Sequence, residues 1–141
     1  RYPLTGSTVG STQSWAPETG WWWSPDYSGT GWLIESQNTT TSGGTTTSNF
    51  FTVGYAYGST GATGQANWYV GTGSLTRQSS STSTWSGDLF EYGSGPTLTG
   101  SSGTAAVTAN RGTTTMTFSS TTTGTITLPN GRQISIQRYS Y

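Results

Sequence analysis

The chain contains no histidine, no cysteine and no lysine. Each absence closes off a chemistry. Without imidazole there is no side chain whose ordinary pKa makes it a base near neutral pH. Without thiol or amine, nucleophilic catalysis would fall to unactivated hydroxyls. The nitrogen-and-sulfur cage that zinc prefers cannot be built, and no disulfide can staple the fold. Charge is scarce as well: charged residues are 7% of the chain, and five arginines offset five carboxylates to a formal net charge of zero. Arg1, Arg77, Arg111, Arg132 and Arg138 are scattered, so no basic stripe exists to follow phosphates, and nucleic acid is not expected as a partner. No apolar run approaches membrane-spanning length. Neither a signal peptide nor an initiator methionine is present, and the opening at Arg1 reads as a processed product.

What is present is aromatic and hydroxyl-rich. Hydrophobic residues are only 29%, yet aromatics reach 13%, with seven tryptophans and eight tyrosines. Disordered chains combine low hydrophobicity with high net charge and few rings. Here the rings must supply the burial that aliphatic residues supply elsewhere. A length of 141 residues fits one domain with a genuine core. Net charge near zero leaves little repulsion between copies, which favours association.

No helical periodicity is visible, and β-formers broken by Gly, Ser, Asn and Pro clusters give an all-β reading. Residues 31–38 alternate as a strand, with Trp32, Ile34 and Ser36 on one face; residues 39–48 read as a polar loop. Phe51, Val53, Tyr55 and Tyr57 share one face of the next strand, Phe50, Thr52, Gly54 and Ala56 the other. Ala66, Trp68 and Val70 alternate with Asn67 and Tyr69, and a weak strand covers residues 73–78. Trp85, Gly87, Leu89 and Glu91 alternate next. Ala105, Val107 and Ala109 mark a strand closed by Asn110-Arg111-Gly112. Thr114, Met116 and Phe118 form another. Ile126 and Leu128 precede Pro129-Asn130-Gly131, the strongest hairpin signal, and Ile134, Ile136 and Arg138 share a face of the last strand. The expected architecture is a small antiparallel up-and-down β-barrel of about eight strands, over residues 15–141 as one domain, with a β-sandwich as the alternative. Residues 1–14 form an extended N-terminal segment.

The densest stretch is Gly20-Trp21-Trp22-Trp23-Ser24-Pro25-Asp26-Tyr27-Ser28-Gly29-Thr30-Gly31-Trp32. In extended chain Trp21 and Trp23 point one way and Trp22 the other. Ser24-Pro25-Asp26 reads as a turn, and Ser28, Gly29 and Gly31 permit close backbone approach before the following strand. This stretch resembles a family of secreted proteobacterial β-domains with the pattern G-x-W-W-x-P-x-x-S-G-x-G. The likeness continues through Gln37, Tyr55, Tyr57, Gly64, Trp68, Tyr69, Trp85, Gly87, Leu89, Phe90, Gly95, Pro96, Thr115, Thr117, Phe118, Ile136 and Arg138. It implies a secreted bacterial module of small-barrel type and no particular activity. The long Thr/Ser loops and the scarcity of charge depart from the pattern. Thr84-Trp85-Ser86-Gly87 also resembles a fragment of the avidin family's biotin-binding barrel.

Three candidate sites follow. Trp21, Trp22, Trp23, Tyr27, Trp32 and Trp68 form an aromatic set that is either a stacking platform for glycans or other small ligands, or packing for a core short of aliphatics. Pro25, Ser28, Gly29 and Gly31 make its turn. The carboxylates Glu18, Asp26, Glu35, Asp88 and Glu91 show no spacing that demands a glycosidase pair, and arginine partners for Glu35 and Asp88 are as reasonable a reading. No Gly-x-Ser-x-Gly elbow, acidic calcium cluster or metal site is legible, so no enzyme activity and no cofactor are expected. Asn38-Thr39-Thr40 is a formal glycosylation sequon without meaning in a bacterial source. The third candidate is the N-terminal segment, whose Tyr2, Leu4 and Val9 suit a strand donated to a neighbouring copy, or else a tail or first strand of its own barrel. The expected function is that of an extracellular bacterial structural subunit that self-assembles into a filament or surface layer, with copies of itself as partner. The alternative is a secreted glycan- or small-ligand-binding module using exposed tryptophans.

Overall fold

A computed structural model describes residues 16–58, 65–78 and 82–141. The segment bearing Tyr2, Leu4 and Val9 lies outside the described residues. Eight strands follow one another: β1 Gly20–Trp23, β2 Gly31–Ser42, β3 Thr45–Tyr57, β4 Ala66–Gln78, β5 Ser83–Gly93, β6 Ala106–Phe118, β7 Thr123–Thr127 and β8 Gln133–Arg138. Each pairs antiparallel with its sequence neighbour, and β1 pairs with β8 to close the ring. The barrel is the expected one, and the sandwich is not formed. A single turn of 3-10 helix, Pro25–Tyr27, joins β1 to β2. No helix among the described residues is long and apolar enough to cross a membrane.

The division into strands differs from the sequence expectation in three places. The polar loop at 39–48 is mostly hairpin: β2 runs to Ser42, Gly43 and Gly44 turn with φ of 57° and 81°, and β3 starts at Thr45. Threonine supplies no apolar alternation there, but its β-branch suits the strand backbone. The segments at 66–70 and 73–78 form one strand, because Gly71 and Gly73 are strand positions packed beneath an indole, not a break. Likewise Asn110-Arg111-Gly112 does not end a strand. It lies within β6, whose pairing with β5 shifts register between Asp88 and Phe90 and again between Glu91 and Tyr92. Two mergers and the four-residue β1 leave the total at eight.

The core is built from inward positions of every strand: Trp22, Trp32, Ile34, Phe50, Leu75, Trp85, Leu89, Met116, Phe118, Ile126, Ile134 and Ile136. Trp22 and Trp85 are fully buried. Rings this large fit inside a narrow barrel only where facing positions are small. A Cβ on Gly71 would stand 2.6 Å from the Trp85 ring, and one on Gly87 would stand 2.7 Å from it. Gly54 is covered in the same way by Trp32. Trp85 also satisfies its one polar atom, donating Nε1–H to the Thr72 carbonyl at 3.2 Å, and Trp22 donates to the Glu18 carbonyl at 2.9 Å.

In a meander, alternate connections lie at opposite ends. One end carries the β2–β3, β4–β5 and β6–β7 connections, and there the chain also enters β1 and leaves β8. Gly20, at φ 132°, turns the entering chain off the line of β1 and across this end. Glu18 N–H then bonds the Thr121 carbonyl at 2.9 Å, and Pro17 is buried. We call this the entry end, and the other the open end.

Gly71→Ala is expected to cost about 1–3 kcal/mol by overpacking Trp85, whereas the neighbouring outward-facing Thr72→Ala stays within about 0.5 kcal/mol. Urea unfolding of the two variants checks this; equal stabilities would contradict the indole-over-glycine packing.

Candidate functional site at the open end

The ring is uneven. β1, β7 and β8 have four, five and six residues, against eleven to thirteen for β2 through β6. β6 pairs with β7 only from Thr115 to Phe118. No strand among the described residues runs along the other edge of Ala106–Thr114. Among the described residues the backbone groups turned away from β5 have no partner strand there, and the stretch from Ala106 to Thr108 is exposed. A second edge is free among the described residues at the entry end, where β1 reaches only to Ile34 and Glu35–Ser42 of β2 has no strand on the side away from β3. That second edge is broken by an irregularity between Gln37 and Thr40, with Asn38 at φ 55°. Both edges are irregular, since β6 shifts register against β5 twice within its own free stretch.

Inside the open end, beside β6, lies a cavity of about 430 Å³. Trp32, Tyr69, Leu89 and Ile134 line its depth, Tyr27, Tyr57, Leu128 and Pro129 its mouth, with Arg111 and Arg132 at the sides. Arg111 pairs with Glu91, a buried carboxylate that also accepts from the Asn67 amide at 2.9 Å. The pairing joins β4, β5 and β6 across the inner wall. Arginine pairing thus falls on Glu91 and not on Glu35 or Asp88 among the described residues. Arg132 lies 4.3 Å from the centre of the Tyr27 ring and donates Nε–H to the Tyr27 hydroxyl at 3.2 Å. Asp88 clamps the shifted stretch of β6: it accepts from Asn110 Nδ2 at 2.8 Å and Thr113 Oγ1 at 2.9 Å. Those two bonds, Asn110 first, hold its carboxyl below the usual value against a small opposing desolvation. The clamp is therefore intact at neutral pH and loosens only as pH falls through that lowered value.

The aromatic set does not form one platform. Trp22 and Trp32 are core residues, and Trp23 packs edge-on against Tyr139 with centres 5.9 Å apart. Tyr27 stands at the cavity mouth. Trp21 and Trp68 lie on the outer surface, joined through Tyr55 at centre distances of 5.5 and 5.4 Å. By register this outer row continues from Trp68 to Tyr92 and on to Val107 of β6, the strand with the open edge. Trp68 is 55% and Val107 51% exposed. Pro25, Ser28, Gly29 and Gly31 build the corner between β1 and β2: Pro25 opens the helical turn, Gly29 takes φ 86°, and Gly31 begins β2.

Sequence reasoning missed the open edge, the cavity and the Glu91–Arg111 pair. No local signal marks the edge, because the apolar alternation of β6 is interrupted at Asn110-Arg111-Gly112 and a missing partner strand shows only in the register of the ring. No protein-family model, curated protein or solved structure matches the chain. The motif resemblance rests on the residues that carry it.

Arg111→Met leaves the Glu91 carboxylate with one amide partner. A cost of about 1–2 kcal/mol is expected, below the value for a fully buried pair because the guanidinium is half exposed. Adding Glu91→Leu should recover part of that loss in urea unfolding; a further loss would contradict the account.

Proposed function

We propose that the protein is an extracellular bacterial structural subunit that self-assembles head to tail, each copy donating its N-terminal segment as a strand to the next. The observation that carries this reading is the incomplete wall: among the described residues a long strand edge has no partner strand at one end, while the chain enters β1 at the other. A donor at one end and an acceptor at the other let each copy pass its segment to the next in line. Repeated head-to-tail contacts of this kind generate open helical filaments. Main-chain hydrogen bonds would supply affinity and alternate side chains the register.

Composition supports the same reading. A formal net charge of zero leaves copies free to approach. The Ser, Thr and Gly surface and the likeness to secreted proteobacterial β-domains support an extracellular location. Exposed, unpaired strand edges are liabilities that soluble monomers normally blunt. Both edges carry irregularities, β2 between Gln37 and Thr40 and β6 opposite Asp88–Phe90 and Glu91–Tyr92, and what distinguishes β6 is the apolar surface beside it.

A second reading, a binding module, is favoured by the cavity. An aromatic-lined pocket with a few placed polar groups is the usual form of a small-ligand site. Among the described residues no carboxylate pairs with Arg132, which suits an anionic group on such a ligand. The outer tryptophans suit a glycan chain less well. Their rings are inclined to Tyr55 by 42° and 61°, not laid flat in one plane.

Electron microscopy of the full chain beside a form lacking residues 1–14 separates the readings. Filaments from the first and monomers from the second are expected. Monomers from both, independent of concentration, would sink self-assembly, and tryptophan fluorescence titrated with glycans and aromatic acids would then test the cavity.

A further inference from the structure

On the strand-donation reading above, we propose that the acceptor is the Ala106–Thr114 edge of β6. There the N-terminal segment of a second copy adds antiparallel, with Tyr2 and Leu4 turned into the open-end cavity and Val9 turned out onto the aromatic row.

Two edges free among the described residues compete, and the apolar surface beside each chooses between them. Residues 37–44 at the β2 edge are exposed and polar, and the exposed apolar surface beside that edge is limited to Phe51. The β6 edge has apolar surface on both faces. Its inner face borders the cavity floored by Trp32, Tyr69, Leu89 and Ile134. Its outer face ends the row Trp21, Tyr55, Trp68, Tyr92 and Val107. A strand placed beside β6 would cover both at once.

The direction follows from the topology. The segment leaves the entry end of one barrel and meets the open end of the next, so residue 14 stays near the rim and residue 1 reaches deepest. β6 begins at the open-end rim with Ala106 and runs inward. The donated strand and β6 therefore run in opposite directions. Leu4 then comes to the depth of Arg111, and Val9 to the level of Ala106 and Val107.

The parity of the segment fits this two-faced acceptor. Tyr2 and Leu4 are two apart and share one face of an extended chain; Val9 is five beyond Leu4 and lies on the other. A strand meeting one apolar face alone would have no use for that change.

The natural absence of cysteine gives a clean test. The full chain is made as Val9→Cys/Val107→Cys and, separately, as Val9→Cys/Asn38→Cys, then assembled and oxidised mildly. Filaments with a covalent ladder from the β6 pair alone are the expected result. Filaments with a ladder from the β2 pair, or from neither, overturn the acceptor while leaving strand donation standing. Wild-type chains that form no filaments overturn both. A third variant, Leu4→Asp, places a charge in the cavity and should abolish filaments without altering the urea midpoint of the barrel; undiminished assembly would contradict the inward face assigned to Leu4.

Discussion

The barrel depends on indole rings lying over glycines. Trp85 occupies the space that side chains at Gly71 and Gly87 would take, and Trp32 does the same over Gly54. A chain with so few aliphatic residues has no other way to fill a closed sheet of eight strands at native density. Phe50 and Phe118 complete the aromatic interior, with Phe50 5.3 Å from Trp85 and 6.0 Å from Phe118 by ring centres. Packing of this kind needs neither disulfide nor metal. It suits a protein whose surface carries almost no charge and whose stability must come from within.

The same economy explains where the barrel stops. Buried rings crowd the level where all eight strands are present. Toward the open end, β7 and β8 have already turned at Leu128–Arg132, where Leu128 N–H bonds the Arg132 carbonyl at 2.9 Å. The wall continues only as β3 to β6, and its inner surface holds a polar cross-brace, Asn67–Glu91–Arg111, in place of a hydrophobic filling. Among the described residues the result is a scoop whose β6 rim has no partner strand from Ala106 to Thr114. Asp88 bonds Asn110 and Thr113 across the first of the two register shifts in that stretch, so the bulge is held in place by side chains.

The fold was largely legible from alternation. Trp85, Leu89 and Glu91, or Met116 and Phe118, declare their inward faces by period alone, and Asn130-Gly131 announces its turn. Strand boundaries were less legible where threonine or glycine replaced apolar residues. Threonine supports a strand without advertising which face is buried, and Gly71 and Gly73 mimic a break while serving as the floor beneath Trp85. The aromatic set was legible as important but not as dispersed. Three consecutive tryptophans at 21–23 must alternate, yet nothing local says that Trp68 lies near Trp21 through Tyr55. The open edge was hidden for a deeper reason: an unpaired edge is the absence of a partner strand, which only the register of the whole ring reveals.

Backbone amide hydrogen exchange on the free subunit and on the assembled form tests the central claim most directly, since it reads the pairing of each strand edge. Amides of Ala106–Thr114 turned away from β5 are expected to exchange quickly in the subunit and become protected on assembly, while those on the free edge of Glu35–Ser42 keep their rates. Protection that appears on β2, or no change on β6 when filaments form, would contradict it.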